Sequence, residues 1–116
     1  MNSPLLFLAG AVVFEVLWAA MLKVADGFAR PWATAVMCVA YVLSLLFLNL
    51  ACKSLDLSLA YAVWTGAGAT LVALVGVVVF QESLSLARAI GLVLVIAGVV
   101  VLIALEPRAL VEKSFP

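Results

Sequence analysis

The stretch PLLFLAGAVVFEVLWAAML, residues 4–22, is apolar at every position except Glu15. Wound as an α-helix, it crosses a hydrocarbon core about 30 Å thick. A charge near the centre of such a span costs roughly 2.5–3.5 kcal/mol on insertion scales. No lysine or arginine shares the stretch to offset that cost. An ionisable group kept in a membrane span on these terms is a functional-site hypothesis by default, so Glu15 is the residue around which the rest of the chain is read.

The same composition continues outward. With 69% hydrophobic and only 10% charged residues, a soluble domain of 116 residues could not bury its own apolar surface, and lipid is the implied solvent. Three more stretches, about 32–52, 57–80 and 85–105, reach span length. The expected architecture is all-α: one four-helix membrane domain over residues 1–116, ending in a polar tail, 106–116, to which no function is assigned. The first stretch does not read as a signal peptide. Met1-Asn2-Ser3 carries no basic residue, Glu15 interrupts the apolar run, and no small-residue cleavage site follows before Lys23.

Cys38 and Cys52 share the second stretch, roughly 21 Å apart at helical rise, too far for a disulfide. They read as small buried apolar residues. The chain has no histidine, which removes His-based triads and most zinc sites. One buried carboxylate leaves no acid–base pair. Neither an enzyme nor a cofactor, metal or nucleic-acid partner is expected.

The connections are short: residues 23–31, 53–56 and 81–84. Links of this length make sequential helices antiparallel neighbours. Gly27 and Pro31 end the first helix and start the second, and Trp32 reads as an interfacial anchor. Counted by side, Lys53, Arg108 and Lys113 oppose Lys23, Arg30 and Arg88, so the basic bias that orients membrane proteins is nil. A chain without bias can insert both ways up, which permits an antiparallel dimer. Gly91 and Gly98, seven residues apart on one face of the last helix, offer a close-packing dimer surface; packing within one chain is the alternative reading.

Trp18 lies at i+3 from Glu15 and shares its face. Tyr61, Trp64 and Gly68 share a face of the third helix, and Tyr41 and Ser44 a face of the second. Converging, they would surround a carboxylate with ring faces and hydroxyls, a set suited to an organic cation. Desolvation penalises the charged form of a carboxyl. Such a group holds a proton when empty and releases it when a cation arrives, and exclusive competition of this kind, coupled to alternating access, gives antiport. Gly66 and Gly68 mark a bend or a close approach, and a bend would serve as a hinge. Glutamate as interhelical glue, in a structural or regulatory membrane subunit, is the reading from another class.

Taken in order, residues 15–23 (EVLWAAMLK), Gly27-Phe28, residues 60–68 (AYAVWTGAG) and residues 91–99 (GLVLVIAGV) resemble the small multidrug resistance family of four-helix transporters. The resemblance covers about Leu5 to Leu105. It implies a plasma (inner) membrane location and an antiparallel, dual-topology homodimer. It further implies that Glu15 of each protomer binds protons or a cationic substrate and that Tyr61 and Trp64 line the pocket. A kink at the glycine pair and dimer contacts along the last helix complete the family picture. Trp18, Ser44 and residues 53–55 (KSL) look like the guanidinium-exporter branch, in which Trp18 and Ser44 would contact the glutamate. Tyr41 looks like the quaternary-ammonium branch. Residues 56–61 (DLSLAY), in place of the usual proline turn, are similar to one subunit of paired polyamine exporters, so a heterodimer with a paralogous subunit stands as the alternative partner. Guanidinium-type cations are the favoured substrate.

Overall fold

A computed structural model describes residues 3–105; the tail at 106–116 lies outside the described residues. These residues form four helices: α1 (Ser3–Val24), α2 (Pro31–Ala51), α3 (Leu57–Val78) and α4 (Leu86–Leu105). All four are long and apolar enough to cross a membrane.

The first link stops α1 by left-handed backbone. Asp26, Gly27 and Phe28 take φ of 52°, 68° and 66°, a region that no helix can propagate through. The freed carbonyls are met locally: Arg30 N–H donates to Ala25 O at 3.2 Å and the Arg30 guanidinium to Val24 O at 3.3 Å. Arg30 is itself extended, as a residue before proline must be, and Pro31 opens α2 at the position where its missing N–H costs nothing.

The helix 3 boundary differs from the sequence expectation. α3 stops at Val78 rather than at 80. No glycine or proline marks this end; Gln81, at φ 57°, turns the chain, and its side-chain amide donates to Val78 O at 3.0 Å. Glu82 then folds back, donating its N–H to Gly76 O at 2.9 Å and accepting from Lys23 Nζ at 2.9 Å. The hydrogen bond and charge of Lys23 hold the Glu82 carboxyl below its ordinary range. The stabilisation is therefore present above the ordinary carboxylate pKa and is lost as pH falls through the depressed value.

Packing is uneven along the bundle. Leu8, Leu48, Leu55, Leu59 and Trp64 form the core where the start of α1, the end of α2 and the start of α3 meet. Ala11, Ala51 and Ala60 are fully buried there, small enough to let backbones close in without a hydrophobic drive from lipid. Phe47 of α2 packs its ring against Phe7 and Phe14 of α1, with centroids 6.1 and 5.4 Å apart. α4 is different: none of its residues is buried, and it leans on α3 alone to any extent.

Candidate cation site around Glu15

Glu15 sits mid-way along α1, half-buried, with its carboxyl turned toward α3. The wall it meets there is Gly68. A Cβ on Gly68 would overlap the Glu15 carboxyl, so only glycine leaves room for the group where it stands. Gly66, two residues earlier, has the same character toward a different neighbour: a Cβ there would overlap Val99 of α4. α3 is helical from Leu57 through Val78 across both glycines. Their evident work in this structure is close approach, to the carboxyl on one side and to α4 on the other.

The aromatic residues form two pairs. Trp18 meets Tyr41 edge-on, with centroids 5.1 Å apart and planes at 89°. Tyr61 and Trp64 lie 5.4 Å apart at 58°. Tyr41 and Tyr61 are exposed on the protomer's surface, at 46% and 52%, whereas Trp64 is buried.

Ser44 is fully buried on the α1–α2 seam. Its hydroxyl donates to the Ala11 carbonyl at 2.7 Å, and the Trp64 indole N–H donates to the same oxygen at 3.3 Å. Sequence reasoning placed the Ser44 hydroxyl at the carboxylate; here its proton goes to the main chain one helical turn before Glu15. The result is a three-helix junction on a single carbonyl, which fixes the height of Glu15 against α2 and α3. Interhelical hydrogen bonds in membranes average about 0.6 kcal/mol. Ser44→Ala should therefore lower unfolding stability in detergent by roughly 0.5–1 kcal/mol, measurable as a small drop in thermal midpoint.

Among the described residues, two buried side-chain polar atoms have no hydrogen-bond partner: Glu15 Oε1 and Trp18 Nε1. Buried polar atoms are nearly always paired. The acceptor and the donor stand one helical turn apart on α1.

The family model described as Small Multidrug Resistance protein matches residues 3–95. The chain belongs to the small multidrug resistance family. It is similar to the multidrug resistance protein EbrB of Bacillus subtilis (strain 168), with 48% identity over 98 residues, 84% of each chain. It is also similar to the multidrug resistance protein EbrA of Bacillus atrophaeus, at 43% over 97 residues, 84% of this chain and 92% of that one. A protein named guanidinium exporter from Yersinia pseudotuberculosis serotype I (strain IP32953) is 44% identical over 96 residues, 83% of this chain and 90% of that one.

As a small multidrug resistance protein, the chain is a multi-pass inner-membrane transporter and not an enzyme. The family match spans Glu15, Trp18, Tyr41, Ser44, Tyr61, Trp64, Gly66, Gly68 and Gly91; Gly98 lies just beyond it. Gly91 and Gly98 have open space where a Cβ would stand, so neither is required by packing inside the protomer. Two participants escaped the sequence reading. Ala11 contributes only a backbone oxygen, which no residue pattern advertises. Gly76 lies directly under Glu82, where a Cβ would overlap the carboxyl.

Proposed function

We propose that this small multidrug resistance protein exports small organic cations in exchange for protons, guanidinium-type compounds foremost, with both ligands competing for Glu15. The observation that carries the reading is the unpartnered Glu15 Oε1 beside the unpartnered Trp18 N–H. A guanidinium presents a planar fork of N–H donors that matches a carboxylate, so it would satisfy the open acceptor. A quaternary ammonium has no N–H and would leave it open. The relative named guanidinium exporter supports the same preference. The relatives named multidrug resistance proteins, together with the aromatic pairs at Trp18–Tyr41 and Tyr61–Trp64, favour lipophilic cations as a second substrate class.

The working unit is a dimer of inverted protomers. The exposed Tyr41 and Tyr61, and an α4 with no buried residue and open glycines at 91 and 98, are surfaces that a second copy would cover. Balanced basic residues on the two sides remove the bias against inversion. A paralogous subunit in place of the second copy is the alternative partner. Gly66 and Gly68 would be the points where α3 shifts as the site changes sides.

Cation binding to the purified protein, titrated over pH with guanidinium, tetraphenylphosphonium and spermidine in parallel, tests this. Protonation removes the charge that the cation needs. Affinity should therefore fall as pH drops through the titration of Glu15 and level off above it, with guanidinium tightest. Affinity independent of pH would contradict competition, and spermidine binding tightest would move the substrate to polyamines.

A further inference from the structure

Above Glu15, α1 and α3 carry matching rungs at four-residue steps: Glu15, Ala19 and Lys23 on one, Gly68, Val72 and Gly76 on the other. The first rung is the carboxyl against Gly68, and the last is Lys23 beside Glu82, itself seated on Gly76. Two helical turns separate them, about 12 Å. Toward the Lys23 end lies a cleft of about 80 Å³ lined by Val16, Ala19, Ala20, Val72 and Gly76, and capped by Lys23, Phe80 and Glu82. It has room for a few waters. Unlike the opposite end of the bundle, where Leu8, Leu48, Leu55 and Leu59 are buried together, this end buries only small residues such as Ala25, Ala33 and Gly76. Its α1–α3 tie is the ion pair, at 2.9 Å across 59 residues of sequence, with Lys23 Nζ also 5.8 Å from the Phe80 ring centroid.

We propose that Lys23 and Glu82 form a latch over the α1–α3 cleft on the Lys23 side of Glu15, engaged when the site is shut on that face and broken when it opens there. This rests on Glu15 being the cation-binding carboxylate. The pair is partly exposed, with side chains 58% and 38% accessible. Exposed ion pairs bias an equilibrium by no more than about five-fold. That strength suits a contact that must break in every transport cycle. Inverted protomers would place one such latch at each face of the membrane.

The test uses the full chain purified in detergent, with Cys38→Ser and Cys52→Ser as background and Ala20→Cys as a reporter inside the cleft. Three changes are read against it: Glu82→Gln, Gly76→Ala, and the exchange Lys23→Glu with Glu82→Lys. Gly76→Ala alters neither charge but displaces the Glu82 carboxyl. Both single changes should raise the reaction rate of the reporter with a charged thiol reagent by about three- to five-fold, the ceiling of an exposed pair. The charge exchange should return the rate to within about two-fold of the parent. Unchanged reactivity in both single variants, or an exchange no slower than the singles, would overturn the latch. Guanidinium affinity, read on the same samples by calorimetry, should stay within about two-fold because the pair lies two turns from the carboxyl. Absence of guanidinium binding in the parent would count against the transport reading and leave the thiol rates to judge the closure.

Discussion

Glu15→Gln should abolish proton-driven guanidinium transport, lowering the coupled rate in proteoliposomes by more than about 100-fold. Glutamine keeps the size of the side chain and its place against Gly68. It can neither release a proton nor supply the opposite charge. Charge-assisted hydrogen bonds contribute about 1.5–3 kcal/mol, which is one to two decades of cation affinity; removal of the exchangeable proton then ends coupling whatever affinity is left. The variant should fold at least as well as the parent, because a neutral amide is cheaper to hold in a membrane than a carboxylate. An unchanged or higher thermal midpoint is thus the control that separates lost chemistry from lost structure. Wild-type coupled transport by Glu15→Gln would remove Glu15 from the mechanism.

Gly68→Ala should come second in effect, at roughly ten-fold weaker cation binding or more, with the fold retained. The added methyl enters the position occupied by the Glu15 carboxyl. The carboxyl is the mobile end of its side chain, so it can turn aside; the helices need not part. What is lost is its alignment beside Trp18. Gly66→Ala makes the informative contrast. Its methyl would meet Val99 of α4, and overpacking of that kind costs about 1–3 kcal/mol. It should lower thermal stability or dimer affinity while changing cation affinity much less. Equal losses of binding in the two variants would mean that the glycines act together as a bend and not as separate points of approach.

Much of this site is written in the sequence. A lone carboxylate in an apolar span is visible because hydropathy and charge are local properties, and Trp18 follows from the helical period. The short links and the helix stop at Gly27 and Pro31 are readable for the same reason. What escaped was whatever depends on where one helix meets another. The chemistry of Ser44 and Trp64 places them near the carboxylate, but does not disclose the Ala11 carbonyl one turn away to which both donate. Gly66 and Gly68 read as a bend or a close approach, and the packed neighbours reveal that each glycine makes room for a different partner. The end of α3 was missed because a non-glycine residue, Gln81, takes the positive φ that turns the chain.

The junction at Ala11 has a consequence for how this transporter can vary. Its acceptor belongs to the main chain, so no codon change at position 11 deletes it; substitution there is limited by size alone, since the residue is fully buried. The donors are the heritable half of the contact and the acceptor is a constant. An amide-to-ester exchange at Val12, made by semisynthesis, would weaken the Ala11 carbonyl as an acceptor without touching a side chain. It would loosen α1 from α2 and α3 at one stroke, an alteration that mutation cannot reach.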